Sequence, residues 1–212
     1  VKILNDDGER TVLRDLSLDV QRGEILALVG ESGSGKSICA QTIMGLLPKP
    51  AVSMAAGEII FDGQRIDNDP TALQSIRGKR IAMIFQEPMS AMNPVQTIGT
   101  QLAEVFHLHF PAMDSAQIQA RSIELMSHVG IHAPEQRLHS YPHQLSGGLC
   151  QRIMIAMALA CEPDILIADE PSTALAVSTQ KQLLLLLQQL QKKMGMAIVF
   201  ITHDLAIVAN WC

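Results

Sequence analysis

The sequence predicts an α/β fold with a mostly parallel sheet, an N-terminal antiparallel β part and an inserted all-helical lobe. Short apolar runs of strand length alternate with helical patterns, which is typical of a parallel sheet with helices on its faces. Residues 1–29 instead begin with short alternating runs around a turn at Asp6-Asp7-Gly8, which favours antiparallel strands. Between Gln86 and Leu145 the pattern is almost entirely helical, and we expect a separate lobe there.

The individual elements follow from the period of the apolar residues. Compact apolar runs next to turn residues predict strands, and apolar spacings of three or four residues predict helices. The predicted strands are residues 10–20, 25–29, 57–63, 81–85, 165–168 and 197–201. The predicted helices are residues 38–45, about 97–130 with a break near Pro111, 149–160, 179–193 and a last one from about Asp204.

The most informative segment is GESGSGKS, residues 30–37, which matches the pattern G-x-x-x-x-G-K-[ST] between a predicted strand and a predicted helix. Its glycines let backbone N–H groups turn inward around phosphate oxygens, Lys36 adds a positive charge, and Ser37 offers a hydroxyl to Mg²⁺. The sequence therefore predicts a P-loop NTPase core that binds a nucleoside triphosphate. The expected binding residues of this loop are Gly30, Glu31, Ser32, Gly33, Ser34, Gly35, Lys36, Ser37 and Ile38.

Polar side chains follow the other predicted strands as well. Gln86, Asp169 and His203 each come just after an apolar strand, at the edge where open α/β sheets bind their ligands. Asp169 is followed by a second carboxylate, Glu170. Because side chains alternate along a strand, the two can serve different tasks, and we assign Asp169 to Mg²⁺ and Glu170 to the attacking water. Such a pair alone is often a solvated strand end, and the phosphate loop is what favours the catalytic interpretation.

The segment LSGGL, residues 145–149, resembles the signature motif of ATP-binding cassette (ABC) ATPases. Its glycines permit close approach to an anion, Ser146 can donate a hydrogen bond, and the following helix directs its positive end at a γ-phosphate. The phosphate loop, Gln86, the signature, Asp169-Glu170 and His203 occur in that family's order over almost the whole chain.

The resemblance implies ATP hydrolysis, ATP and Mg²⁺ as ligands, and a role for each motif. Gln86 would be the Q-loop residue that senses the metal and the lytic water, and His203 the switch histidine that bonds the γ-phosphate. The signature would complete the ATP site of a second ATPase subunit in a homo- or heterodimer. The catalytic residues are thus expected to be Glu170, His203 and Gln86, the metal ligands Ser37, Asp169 and Gln86, and the signature residues Ser146, Gly147 and Gly148.

Three segments further resemble the peptide/nickel branch of bacterial ABC importers: FQEPMSAMNP (85–94), YPHQLSGG (141–148) and MIAMA (154–158). This implies a subunit that energises uptake of peptides or related small solutes, nickel included, at the cytoplasmic face of the inner membrane. Its partners would be transmembrane permease subunits and, indirectly, a solute-binding protein. Met89, Met92 and Val95 are expected to be exposed where that branch docks its permease.

Two departures from the family pattern leave other interpretations open. The family normally has Asp after the segment PSTAL, whereas this chain has Ala176, and the first aromatic residue of the chain is Phe61. Adenine would then rest on aliphatic groups such as Ile3 or Val12. The alternatives are a catalytically weak nucleotide-binding subunit of an asymmetric cassette pair, or a soluble non-transport ABC ATPase.

Composition limits the classes of partner. A net charge of −5 and a pI near 5.8 argue against nucleic acid as a partner. The four cysteines lack metal-site spacing, and the apolar runs are short of the roughly 20 residues that cross a bilayer. We expect a single domain over residues 1–212, truncated at both ends, with its core in residues 1–86 and 153–212 and a helical lobe over about 87–152.

Overall fold

The computed structural model describes residues 1–5, 8–48, 50–172 and 176–211. The strands are β1 (Lys2–Asn5), β2 (Gly8–Thr11), β3 (Ile25–Val29), β4 (Val52–Ser53), β5 (Ile60–Phe61), β6 (Gln64–Arg65), β7 (Ile81–Ile84), β8 (Ile165–Asp169) and β9 (Ala197–Thr202). The α-helices are α1 (Lys36–Ile43), α2 (Pro70–Ile76), α3 (Pro88–Ala91), α4 (Ile98–His109), α5 (Ser115–His128), α6 (Pro134–Arg137), α7 (Gly147–Leu159), α8 (Val177–Met194) and α9 (Leu205–Trp211), and Pro142–Gln144 forms a 3₁₀ turn.

A four-stranded parallel sheet in the order β3-β9-β8-β7 forms the centre of the molecule. Ile165 of β8 pairs with Ile81 on one side and with Ala197 on the other, so the first residues of β7, β8 and β9 are aligned in the sheet. β7 and β9 are buried along their whole length, which explains why both read as continuous apolar runs. The predicted parallel α/β core is confirmed.

The antiparallel part is smaller than predicted. β1 pairs with β2 and with β4, but β2 ends at Thr11, and the strand predicted for residues 10–20 was wrong beyond that point. Asp15 adopts a positive φ of 51°, which turns the chain out of the extended conformation. Asp6 and Asp7 of the predicted turn lie outside the described residues.

The short strand ended by a turn that is predicted for residues 57–63 forms at Ile60–Phe61 and is the first strand of a second hairpin. β5 pairs with β6 across Asp62 and Gly63, whose φ angles of 53° and 77° suit the two central positions of a tight type I′ turn. The Arg80 guanidinium lies over the aromatic ring of Phe61 in this hairpin, with Arg80 Cζ 4.5 Å from the ring centroid. The contact anchors the hairpin to the start of β7.

The two faces of the parallel sheet carry different apolar clusters, because successive side chains of a strand point to opposite faces. Ile167 and Val199 face a cluster with Ala40 of α1 and with Met44, the C-cap residue of that helix. Leu166 and Phe200 face a larger cluster that continues without interruption into the helices of residues 98–159. Full burial of each such large side chain contributes about 1.5–3 kcal/mol.

The helices predicted for residues 97–130 and 149–160 are formed as α4, α5 and α7, whereas the short helix α6 was not predicted. The helical pattern breaks near Pro111, and α5 begins with a capping box in which Asp114 and Gln117 bond each other's backbone N–H groups. Met92 is 5% exposed within the large apolar cluster, so its predicted exposure was wrong, whereas Met89 and Val95 are 44% and 79% exposed.

Helix α8 starts without a side-chain cap, because its N-cap residue is Ala176. Ser at this position can accept a hydrogen bond from a first-turn N–H group, and such caps contribute about 1 kcal/mol. We therefore expect Ala176→Ser to raise the free energy of unfolding by about that amount, as measured by urea denaturation. The control Ala120→Ser, at an exposed position inside α5, should be neutral or slightly destabilising.

Candidate functional site

The phosphate loop connects β3 to α1, and its last glycine lies at the tightest point. Gly35 is the N-cap of α1 with a φ of 97°, and a Cβ atom there would lie 2.8 Å from Leu13 Cδ2 and 3.4 Å from Val12 Cγ1. Only glycine fits both requirements. The first N–H groups of α1 have no partner within the helix, so they form a ready anion-binding site.

The side-chain ammonium of Lys36 occupies the centre of the phosphate loop. It is 8% exposed, and its ammonium donates hydrogen bonds of 2.8 Å to the carbonyl oxygens of Gly30 and Glu31. The same ammonium lies 3.9 Å from a carboxylate oxygen of Glu170. At the nearby Gly33, with a φ of 78°, a Cβ atom would meet no other atom of the described residues within 4 Å. The loop thus encloses a positive charge beside an open face.

Ser37 and Asp169 form the adjacent contact between α1 and β8. The Ser37 hydroxyl donates to Asp169 Oδ1 over 3.0 Å, and Asp169 is 5% exposed. Burial raises the pKa of the Asp169 carboxyl, the hydrogen bond from Ser37 opposes this, and the neighbouring Glu170 charge adds to it. A buried carboxylate and a hydroxyl at this spacing are oxygen ligands that suit Mg²⁺ together with phosphate oxygens.

Glu170 stands at the centre of the polar group. Gln86 Nε2 donates to its Oε2 over 3.4 Å, and His203 Nδ1 lies 3.2 Å from the same oxygen. Its backbone φ is 44°, in the left-handed region that costs a non-glycine residue about 1–2 kcal/mol. This turn out of β8 lets Asp169 and Glu170 both reach the phosphate loop, which strand alternation alone would not predict.

The carboxyl ends of β7, β8 and β9 bring these side chains together. Gln86 follows β7, Glu170 follows β8 and His203 follows β9. Glu170 has a side chain 11% exposed, while that of His203 is 53% exposed, so the group opens to solvent on the histidine side. A carboxylate in this position can accept a proton from water, and the imidazole can bond an incoming anion.

The signature residues lie apart from this group. Ser146 caps α7, and its hydroxyl oxygen accepts from the backbone N–H of Leu149 over 3.3 Å. Gly147 and Gly148 form the first turn, and a Cβ on Gly148 would contact Thr179 at 3.7 Å. Within the described part of the chain, no hydrogen bond or ion pair joins the signature to the phosphate loop.

The remaining predicted loop residues line the solvent side. Glu31, Ser32 and Ser34 are exposed, and Ser34 N–H donates to Glu31 O over 3.2 Å. Ile38 is half-buried in the first turn of α1. Sequence reasoning missed Leu13, which packs over Gly35, since no motif marks an aliphatic residue at the end of a distant hairpin.

The fold and this site define a nucleotide-binding protein of the P-loop type. The sequence pattern of the family described as ABC transporter matches residues 13–173, and the chain belongs to that family. Membership implies that the cassette binds ATP. Among the residues that the structure describes, no helix has both the length and the apolar character needed to cross a bilayer.

Curated relatives carry names from peptide transport. The peptidoglycan transport ATP-binding protein YejF of Agrobacterium fabrum is 54% identical over 197 residues, 92% of this chain and 36% of that protein. The probable peptide ABC transporter ATP-binding protein y4tR of Sinorhizobium fredii is 47% identical, covering 97% of this chain and 62% of that protein. OppD of Bacillus subtilis, an oligopeptide transport ATP-binding protein, is 48% identical over 96% of this chain and 57% of its own length. The chain therefore spans between about a third and three fifths of these relatives.

Solved structures agree with the fold. The dimeric structure of MJ0796, a bacterial ABC transporter cassette, gives a TM-score of 0.85 at 28% identity, covering 98% of this chain and 87% of that one. A post-hydrolysis state of the same cassette bound to ADP and Pi gives 0.84 over 97% and 86%. The predicted fold class and the resemblance to the ABC family are confirmed.

The buried charge of Asp169 should lower stability when no nucleotide is bound. Its folded pKa lies above the unfolded value of about 3.9, so at neutral pH the native state bears an unfavourable buried carboxylate. We expect Asp169→Asn, which keeps the acceptor for Ser37, to raise the free energy of unfolding at pH 7. The gain should shrink as the pH falls through the raised folded pKa toward the unfolded one. Urea denaturation across this pH range measures it.

The control for that experiment is Asp67→Asn, which should act with the opposite sign. Arg65 holds the pKa of Asp67 below its usual value, so its charge stabilises the native state at neutral pH, and this stabilisation is lost as the pH falls. A lower free energy of unfolding for Asp169→Asn at pH 7 would contradict the interpretation that the buried Asp169 carboxylate destabilises the native state when no cation is bound.

Proposed function

We propose that this chain is the ATP-hydrolysing cassette of an ABC importer for peptides or related small solutes, nickel included. The observation that carries the hydrolytic part is the convergence of Gln86, His203 and the loop lysine Lys36 on the single carboxylate of Glu170. The peptide part rests on the names of the relatives, which include a peptide and an oligopeptide transport protein.

The phosphate loop would hold the triphosphate of ATP. The ammonium of Lys36, now bonded to two loop carbonyls, would exchange them for outer phosphate oxygens. Residues 30–38 would supply the surrounding backbone N–H groups and hydroxyls. Ser37, Asp169 and Gln86 would hold Mg²⁺, which neutralises charge on the phosphates when bound.

Glu170 would act as the general base toward the attacking water. Its fixed backbone turn and the flanking hydrogen-bonding groups would hold the carboxylate at the edge of the loop. His203, the more exposed partner, would bond the γ-phosphate, and Gln86 would link the water to the metal. These residues would act by positioning the water and the phosphate and by stabilising charge, because phosphoryl transfer depends mainly on alignment and electrostatics.

A second ATPase subunit, identical or different, would complete the site. The signature residues Ser146, Gly147 and Gly148 begin a helix whose N-terminus is separate from this chain's own loop, which supports their use on a partner's γ-phosphate. The related cassette MJ0796 is a dimer in its solved structure. The chain would then be one cassette over residues 1–212, with residues 87–152 as the lobe that carries the signature.

Transmembrane permease subunits would receive the motion of this lobe. Met89 and Val95, in the segment that follows Gln86 in the chain, are exposed, as a docking surface for an apolar partner requires. The cassette would lie at the cytoplasmic face of the inner membrane, reach a solute-binding protein only indirectly, and have no nucleic-acid partner.

A second candidate function is a nucleotide-binding cassette that closes on ATP but turns it over poorly. Ala176 favours it, because the residue after PSTAL offers no carboxylate toward a partner subunit. Thr173, Ala174 and Leu175 of this segment lie outside the described residues. The experiment on Glu170 separates the two candidates.

Glu170→Gln in the full-length protein, assayed with its partner cassette, should lower Mg²⁺-dependent ATP hydrolysis by about a hundredfold or more, since a general base contributes on that order. Binding of ATP should remain, because the amide keeps the shape and the hydrogen-bond acceptor. The control Glu58→Gln removes an exposed carboxylate that lies 3.8 Å from Arg65, on the separate hairpin, and should leave turnover unchanged.

Unchanged turnover in Glu170→Gln, together with loss of turnover when the partner's corresponding carboxylate is changed, would contradict the first candidate. It would make this chain the weakly active half of an asymmetric pair. Fast turnover by this protein alone would exclude the second candidate.

Uptake of a labelled dipeptide or oligopeptide by the intact transporter in vesicles should depend on the same carboxylate. Glu170→Gln should reduce ATP-driven uptake in proportion to the loss of hydrolysis, whereas Glu58→Gln should transport normally. Purification with no permease subunit, with hydrolysis intact, would instead favour a soluble non-transport ATPase.

A further inference from the structure

An open cleft lies between the helical lobe and the edge of the sheet opposite the phosphate loop. Its volume is about 320 Å³, within the range of about 300–1,000 Å³ that is usual for small-ligand sites. Glu162 of this cleft precedes Ile165, the first residue of β8, whereas the phosphate loop meets the other end of that strand at Asp169. The lobe cleft, as we call it, is lined mainly by Phe106, Phe110, Met113, Arg121, Cys161 and Glu162.

The inner part of the lobe cleft is apolar. Phe106 and Ala160, which also lines the cleft, are 1% and 3% exposed, and the rings of Phe106 and Phe110 have centroids 6.2 Å apart. Met113 ends the turn after α4, where its N–H donates to Phe110 O over 3.0 Å. Burial raises the pKa of the Cys161 thiol to about 11, so this thiol is neutral at neutral pH. An occupant must place an apolar group here, because a buried polar group without a partner is costly.

The outer part of the lobe cleft is charged, with Arg121 at its centre. The Arg121 guanidinium donates to Glu124 Oε2 over 2.7 Å and to Glu162 Oε1. A guanidinium has five N–H donors, and the remaining ones of Arg121 have no acceptor among the residues that the structure describes. The side chains of Glu124 and Glu162 are 49% and 64% exposed. Ion pairs this exposed contribute little to stability, so little is lost when a ligand shares them.

The charges of the outer part determine the class of ligand. A simple anion would be attracted by Arg121 but repelled by the carboxylates of Glu124 and Glu162, and a simple cation would be repelled by Arg121. A zwitterion satisfies both signs, because its carboxylate can accept from the remaining N–H groups of Arg121 while its ammonium donates to Glu162. In an α-amino acid these two groups and the side chain leave the same carbon atom. That shape matches a charged pair next to an apolar interior.

We propose that the lobe cleft binds a free α-amino acid with an apolar side chain. The carboxylate bonds Arg121, the ammonium bonds Glu162, and the side chain lies against Phe106, Phe110 and Met113. The site is separate from the ATP site, so this binding requires no nucleotide.

A smaller cavity shares Arg121 and Glu162 with the lobe cleft. Its volume is about 160 Å³, below the usual range for a ligand site. Met194 lines this smaller cavity and Met113 lines the lobe cleft, and both side chains are half-buried. The two methionines therefore allow the same substitution to be made in each cavity.

The first measurement is the dissociation constant of L-phenylalanine for the nucleotide-free, full-length protein, by titration calorimetry. Phenylpropanoate lacks the ammonium and phenylethylamine lacks the carboxylate, while both keep the apolar body. We expect L-phenylalanine to bind, and each analogue to bind at least about tenfold more weakly, because a hydrogen bond between charged groups is lost. Equal binding of phenylpropanoate would indicate a simple anion site and overturn the inference. Absence of L-phenylalanine binding up to about 10 mM would overturn it as well.

The second measurement repeats the titration of L-phenylalanine with Arg121→Gln and Met113→Trp. The first change removes the guanidinium and the second fills the apolar part, so each should weaken binding at least about tenfold. The matched controls are Arg137→Gln, in α6 of the same lobe, and Met194→Trp, in the smaller cavity. Both controls should bind L-phenylalanine as the unchanged protein does.

Unchanged binding in Arg121→Gln or in Met113→Trp, with the variant folded by circular dichroism, would overturn the inference. Equal weakening in Met194→Trp would place the amino-acid side chain in the smaller cavity and also overturn it. All four variants should bind ATP normally, so failure of this inference would leave the proposed function intact.

Discussion

Lys36 and Asp169 are buried and Glu170 is largely buried at one end of an apolar sheet, so their charges must compensate one another for the phosphate loop to close on the sheet. A buried charge is costly unless it is paired and hydrogen-bonded, and each of these side chains has such contacts within the group. The opposing signs hold the end of β8 against the phosphate loop. Burial nonetheless keeps the pKa of Asp169 raised, so the arrangement favours arrival of a cation.

Two unusual backbone conformations make this grouping possible. Gly35 turns the loop into α1 directly beneath Leu13, and Glu170 adopts a positive φ that swings its carboxylate toward the loop. The first requires a residue without Cβ, and the second is a strain that the surrounding contacts must hold. The β-hairpin at the N-terminus therefore shapes the loop from one side and the sheet shapes it from the other.

The large apolar cluster connects this site to the signature helix. Leu166 and Phe200 on the sheet share that cluster with Ile98 of α4 and Ile153 of α7, and the buried Met92 belongs to the same cluster. Close packing of this kind transmits displacement, because interiors tolerate few voids. A displacement of the segment after Gln86 would therefore shift α7, which begins at the signature.

The sequence alone determined the α/β class, the helical insert, the phosphate loop and the identity of the polar residues after each strand. These depend on period and spacing, which are local: an apolar run before GESGSGKS or before Asp169 reads the same in any context. The early end of β2 and the burial of Met92 depend on which neighbour a segment meets, and propensity does not encode that. Only the tertiary structure shows that both carboxylates lie beside the loop and that Val12 and Leu13 pack against Gly35, because each contact joins segments far apart in the chain.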